Sequence, residues 1–448
     1  MKFENGTSNT WRNNPEKIIL FDNGAYEIKH STASGRKYKK FHNCKFFEKT
    51  NNSSSLNSSS PFFIQDIAKD FPIENISTLG RNYLRPLSRG LLSDIDLQLD
   101  IWEKIFHNHY SMETGDDTFK ENLFIFTHTP MAPDEVIEGF FEIIFEYFGF
   151  DACFKSIPHV FAAWYFKEKN QDKINQTVQL VVDSGFSSTT IVPIFDDMPI
   201  YNAIKRVEIG GKLLANYLKE CLVNTIDLDL RKEFYLSNLI KEECCYISKD
   251  FRLDMKISKE TEMNKKQFIL PEYRKKPESF LNSMAPEKYL ITLNNLRFVV
   301  PELIFNPNMI GIEEGGLHEG IIQSIAECHN DYKNLLYENI ITCGGNSKFP
   351  GFNERLIKEL NGTVDHDYVK SARVFNAHEK KENTGAGNNN NNNNNNIINN
   401  SIIKNAECDP VIEGMKLFAQ NRDLVQDLSI TKKEYEDIGF NIVLKTCY

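Results

Sequence analysis

No stretch of this chain is apolar for long enough to cross a bilayer as a helix. The strongest run, Gly139–Phe150, is broken by Glu142 and Glu146. Nor does Met1–Asn14 hold the hydrophobic segment of a signal peptide. An excess of positive charge is also missing. The 52 Lys and Arg residues stand against 62 Asp and Glu, giving a net charge of −10. The field of the whole protein therefore favours neither nucleic acid nor an anionic membrane, and any DNA contact has to be local or indirect. The 9 cysteines include one adjacent pair, Cys244-Cys245, and no C-x-x-C spacing. That argues against a disulfide framework and against a structural zinc site, and leads us to expect a reducing compartment. His107 and His109 lack further ligands at metal-binding spacing, and no Ser/His/Asp or Cys/His constellation can be argued.

What is present is enough chain, at 448 residues, for two or three domain-sized units. Two segments have nothing to bury. Asn51–Ser60 reads as a surface loop, and Asn383–Asn405, with its unbroken run Asn388–Asn396, reads as a disordered insert. Foldable sequence resumes at Asp409, so the insert leaves and re-enters one domain. Elsewhere strands alternate with helices, an α/β composition. Strands are expected at Lys17–Phe21, Ala25–His30, Leu123–Phe126, Val178–Val182, Thr189–Ile194 and Asn339–Thr342. Helices are expected over Pro133–Phe148, Pro158–Lys167, from Gly211 through Leu218, over Ser237–Ser248 and over Phe352–Leu360. The basic cluster Arg36–Lys40 reads as a solvated hairpin edge, with a nuclear import signal as the alternative.

One local device occurs twice: an apolar strand ending in Asp-polar-Gly, then a second strand. The copies are Ile19–Lys29 and Leu180–Thr190, about 160 residues apart, which is one domain length. The spacing suggests two related lobes. Gly24 and Gly185 are expected to take positive φ, with Asn23-Gly24 as a tight hairpin signal. Backbone amides of such turns can converge on an anion. Asp22 and Asp183 at the strand ends could hold a hydrated magnesium ion, and Lys29 could reach phosphates as a point charge. A third element, Ile341–Gly351, delivers Gly344-Gly345 just before a helix, leaving room for a flat base or ribose.

In this order, the DNG hairpin, the DSG hairpin and the GGNSKFPG turn resemble the actin superfamily. The likeness runs over nearly all of Lys17–Tyr448 and includes Arg89–Phe106, Lys241–Phe251, Val299–Ile325 and Thr431–Gly439. Asn43–Phe46, Val182–Pro193 and Gly210–Glu220 are closer to a nuclear actin-related branch than to actin itself. The resemblance implies an actin-like two-lobed fold, duplicated ribonuclease-H-like domains around a nucleotide cleft. It divides the chain into an N-terminal extension (1–16), a first lobe (17–170, with an insert at about 31–88), a second lobe (171–382), the Asn-rich insert (383–408) and a segment returning to the first lobe (409–448).

The same resemblance implies ATP or ADP with magnesium. Asp22, Asn23, Gly24, Ala25, Tyr26 and Lys29 match the first phosphate loop, and Asp183, Ser184, Gly185, Phe186 and Ser187 match the second. Gly211, Lys241, Glu242, Gly344, Gly345, Asn346 and Phe349 match positions around the adenosine. Asp22 and Asp183 would meet the metal through water. The chain departs from the family where Ala25 and Tyr26 replace a hydroxyl residue and a glycine, and where Phe186 and Ser187 replace an acid and a glycine. The water-orienting glutamine of the family should fall near Ile157–His159, where Pro158 stands instead. The expectation is structural ATP binding with little or no hydrolysis, and no catalytic residue.

By resemblance the function is that of a nuclear scaffold, with a cytoplasmic pool. It would sit in a Swr/SRCAP-type chromatin-remodelling complex that exchanges a Z-type histone variant into nucleosomes. Its partners would be a Snf2-class ATPase, a zinc-finger subunit and, through the complex, histones, with no sequence-specific nucleic acid and no membrane. The alternatives are a cytoskeletal actin-like filament protein and an active actin-fold ATPase.

Overall fold

The computed structural model describes residues 10–47, 82–112, 117–171, 175–223, 234–274, 276, 286, 289–363, 372–376 and 409–445. The expected loop Asn51–Ser60 and the Asn-rich insert lie outside these residues.

Two mixed sheets form the frame. In the first, β1 (Ile18–Asn23), β2 (Glu27–Thr32) and β3 (Lys39–His42) make an antiparallel meander, while β4 (Leu123–Thr127) and β5 (Ala152–Ser156) add parallel strands on the far side of β1. In the second, β6 (Val178–Ser184) pairs antiparallel with β7 (Thr189–Phe195) and parallel with β8 (Ile340–Cys343), which β9 (Val374–Asn376) follows in parallel. The duplication extends to register. Asp22 faces Lys29 and Asp183 faces Thr190, each seven positions on, and each hairpin closes over a four-residue connection. The chain returns to the first sheet at its end, where Ile430 and Thr431 pair with Cys153 and Ala152.

β1 is buried at every position because helices or sheet partners cover both of its faces. Its pleat sends alternate side chains into different cores. Ile19 and Phe21 join Trp102, Phe106 and Phe124 in an aromatic-rich first-lobe core, while Ile18 and Leu20 face a central one. β6 repeats the pattern, with Leu180 and Val182 in the second-lobe core and Val181 in the central one. Helices bridge the lobes at that central core. After α1 (Ile95–Ile105) and α2 (Asp134–Phe141) in the first lobe comes α3 (Pro158–Lys169), with His159 through Ala163 all buried. A helix covered all round belongs between layers. In the second lobe lie α4 (Gly211–Val223), α5 (Phe234–Cys244) and α6 (Phe352–Thr363), and α7 (Pro410–Gln420) packs on α3. Asp409 caps α7 by accepting from the amides of Val411 and Ile412, and Pro410 occupies its first position. Gly414 lets α7 touch α3: a Cβ there would lie 1.9 Å from the carbonyl oxygen of Phe161.

Several expectations need correction. The helix expected over Pro133–Phe148 is α-helical only to Phe141, then continues in π turns over Glu142–Phe148, a widened winding that brings Ile143, Ile144, Phe145 and Phe148 all into the core. The helix expected over Ser237–Ser248 instead spans Phe234–Cys244. It stops because the amides of Tyr246 and Ile247 bond to the carbonyls of Arg297 and Pro350. Gly24 and Gly185 do not take positive φ. Gly24 is required for closeness, since a Cβ would sit 2.8 Å from the carbonyl oxygen of Glu27. Asn23 pairs with Ile28, so Asn23-Gly24 is not a two-residue turn. The basic segment Arg36–Lys40 leads into β3 at the sheet edge, where Lys40 pairs with Glu27. His109 lies against His30 and bonds Lys39, and no cluster of three metal-type ligands exists among the described residues.

Candidate functional site

The two hairpin turns face each other across the cleft between the lobes. Asp22, at the end of β1, accepts from the Thr127 hydroxyl at 2.8 Å and from Lys29 Nζ at 2.9 Å. The Lys29 ammonium also binds Asp409 at 2.9 Å, tying the first hairpin to the start of α7. Burial works against the charge on Lys29, but Asp22 and Asp409 outweigh it and raise its pKa well above the ordinary value. The reverse holds at Asp409: burial pushes its carboxyl up, yet Lys29 and the helix amides hold it below the usual range.

Asp183 lies beside this group. Burial, with the charge of Asp22 next, pushes its carboxyl up to about 6, with Lys29 opposing. Its Oδ1 would be 2.3 Å from a Cβ on Gly344, whose φ of +85° also demands glycine. The folded state thus holds this proton more tightly than an unfolded chain, whose aspartates titrate near ~3.9. The contribution is stabilising below pH ~4 and is lost as pH rises toward about 6. Asp183→Asn should flatten this part of the stability–pH curve, read as melting temperature from pH 4 to 7. A variant curve parallel to that of the parent chain would refute the assignment.

The residues expected around an adenosine form a connected set on the second lobe. Lys241, a buried residue of α5, donates through Nζ to the carbonyl of Gly211 at 3.1 Å and to Asn238 Oδ1 at 2.7 Å. Burial lowers its pKa to about 8. Asn238 Nδ2 in turn donates to Glu242 at 2.8 Å and to the Tyr26 hydroxyl of the first lobe at 3.2 Å. Asn346 donates to Ser184 Oγ and to the carbonyl of Gly185, bracing the second turn. Phe349 is buried, whereas a Cβ on Gly345 would meet nothing within 4 Å, so one open face remains here.

The turn side is different. The rings of Tyr26 and Phe186, one from each hairpin, meet with centroids 5.0 Å apart. Arg85 lies over both, 5.2 Å from the Tyr26 ring and 4.7 Å from the Phe186 ring. Its guanidinium donates to the carbonyls of Ala25 and Tyr26 and, at 2.7 Å, to the Tyr235 hydroxyl. Among the described residues Arg85 forms no ion pair with a carboxylate. Ring faces and carbonyl oxygens surround the cation instead, contacts worth roughly 0.5–2 kcal/mol apiece. Tyr235 also meets Cys44 Sγ at 3.1 Å, a second crossing between lobes.

A polyphosphate does not fit between these turns. Its space is taken by two rings in contact. Two turn amides are bonded internally, that of Gly24 to the carbonyl of Asp22 and that of Gly185 to the carbonyl of Ser188. Asn23 is held by Trp102 Nε1, and Ser184 by the Thr189 hydroxyl. Ala25 offers no hydroxyl, and Ser187 lies against Gly90 of the first lobe. His159, next to Pro158 at the place of the absent glutamine, is bonded to Thr190 Oγ1 at 2.9 Å, and burial lowers its pKa to about 3. Arg85, Tyr235, Asn238 and Asp409 did not emerge from the sequence as site residues. Only Asp409, as Asp-Pro before an apolar run, carries a local signal, and that signal is for a helix cap.

Comparison with known proteins agrees with the fold. The Actin family profile matches residues 16–389. An actin-like protein of Caenorhabditis elegans, C08B11.6, is 34% identical over 64% of this chain and 68% of its own length. Actin-related protein 6 of Arabidopsis thaliana is 30% identical over 79% of this chain and 83% of its own. Actin-like protein arp6 of Aspergillus fumigatus is 26% identical over 95% and 93% respectively.

Proposed function

Because this chain belongs to the actin family, we propose that it is a nuclear, non-catalytic scaffold subunit of a Swr-type chromatin-remodelling complex that exchanges a Z-type histone variant. Two of the relatives carry the name of actin-related protein 6, the branch to which Asn43–Phe46, Val182–Pro193 and Gly210–Glu220 are also similar. The observation that carries the non-catalytic part is the cleft. Pro158 opens α3 where a water-orienting amide is needed, and the ring of the adjacent His159 is taken up by the Thr190 hydroxyl. Without an oriented water the loss from misplacement alone reaches ~10²-fold. Hydrolysis then belongs to a separate Snf2-class motor, beside which this chain and a zinc-finger subunit are mounted. A net charge of −10 suits a module that meets histones or other basic partners.

Affinity purification from nuclear extract, followed by mass spectrometry, tests this reading. Recovery with a Snf2-class ATPase and its zinc-finger subunit is the expected result. Recovery as a free monomer, or with cytoskeletal proteins, would overturn it. Sedimentation with magnesium and ATP should leave the protein in the supernatant, and pelleting polymer would favour a filament former.

A further inference from the structure

We infer that the cleft of this chain is held closed by its own side chains, with Tyr26, Phe186 and Arg85 standing where the actin fold places the nucleotide's phosphates, so that lobe closure needs no nucleotide. Each lobe supplies half of the contact: Tyr26 and Arg85 from the first, Phe186, Tyr235 and Asn238 from the second. Tyr26 stands four residues after Asp22 and Phe186 three after Asp183, neighbouring rather than equivalent places in the duplicated hairpins, and they are the pair that touches. One ring alone would leave a gap between the turns, whereas two in contact fill it.

The electrostatics point the same way. In a phosphate site the ligand brings the negative charge that cationic side chains and turn amides await. Here Lys29 already has two carboxylates, each at 2.9 Å. Arg85 is directed at two turn carbonyls, the Tyr235 hydroxyl and the ring faces. The Gly24 and Gly185 amides are bonded within their own turns. The hydroxyl of Tyr26 reaches the Asn238–Lys241–Gly211 chain, so the first hairpin is tied directly to the wall expected to hold the base. This inference rests on the cleft alone. It survives a failed complex purification, and its own failure leaves complex membership untouched.

The test is nucleotide content and nucleotide-dependent melting of the purified full chain. A ligand held at ~100 times its Kd raises the melting temperature of a protein this size by several degrees. The parent chain should show no shift with millimolar Mg-ATP or Mg-ADP, and acid extraction should release far less than one nucleotide per chain. The double variant Tyr26→Gly/Phe186→Asp should melt several degrees lower and then gain a shift with Mg-ATP. Arg85→Met should melt lower without that gain. Near-stoichiometric nucleotide in the parent chain, or a parent shift of several degrees, overturns the inference whether or not the variants fold. So does a folded double variant that melts like the parent and ignores Mg-ATP.

Discussion

Replacing Lys29 with Met should destabilise the protein severely at neutral pH while keeping most of the apolar stem in place. The ammonium sits between Asp22 and Asp409, whose side chains are each about 10% exposed, itself at 20%. Removing one partner of a buried ion pair costs ~3–5 kcal/mol, because the remaining charge is left uncompensated. Here two carboxylates lose their cation, with Asp183 beside them, although partial exposure of Lys29 places the expected loss toward the lower end. The deficit should depend on pH. In the parent chain Lys29 helps to hold the Asp409 carboxyl below its ordinary value, so that contribution is present above pH ~4 and fades below it. Without Lys29, burial dominates at Asp409 and a protonated carboxyl is the better-tolerated form. The variant should therefore approach the parent as pH falls toward 4. Melting curves at pH 7 and pH 4 check this; an equal deficit at both would show that Lys29 acts by packing rather than by charge.

Gly414→Ala should be as damaging, for a reason with no charge in it. A Cβ at Gly414 would lie 1.9 Å from the carbonyl oxygen of Phe161, 2.5 Å from its carbonyl carbon and 2.9 Å from its Cα. All three are backbone atoms of α3, so no side-chain rotation relieves the clash, and the two helices have to move apart. Ala for Gly within a helix is worth ~1 kcal/mol in propensity. Overpacking in a close-packed core typically costs ~1–3 kcal/mol and more where backbone must shift. The balance is a net loss of ~2 kcal/mol or more, which for a chain of this length is a fall of about 2 °C or more in melting temperature. Because α3 and α7 share the central core with β1, β6 and β8, the loss falls on the junction of the lobes. Differential scanning calorimetry should show both lobes melting earlier. A neutral effect would mean that the helices separate at negligible cost.

The duplicated hairpin was legible because its information is local. An apolar strand, an Asp at its end and a glycine turn lie within eleven residues of one another, and the identical register of Asp22 with Lys29 and Asp183 with Thr190 follows from that repeat. Turn geometry was read less well. Both connections have four residues, and Gly24 answers to a close carbonyl rather than to a left-handed φ. Helix ends were displaced for a similar reason: α5 stops where Arg297 and Pro350, remote in sequence, take its successors' amides.

What the sequence by itself determined, then, is the two-lobed frame, the pairing of Asp22 with Asp183 at its centre, and the absence of a water-orienting amide at Pro158. Each depends on residues close together along the chain or on one missing side chain. What only the tertiary structure decided is the state of the cleft. Tyr26 meets Phe186 across 160 positions, Arg85 meets Tyr235 across 150, and Lys29 meets Asp409 across 380. Such contacts leave no periodicity or spacing to read, because they exist only once two separately folded sheets face each other. The bulk of Tyr26 and Phe186 could be noticed in the sequence. That the two rings fill the same space, with an arginine over both, is a property of the assembled lobes.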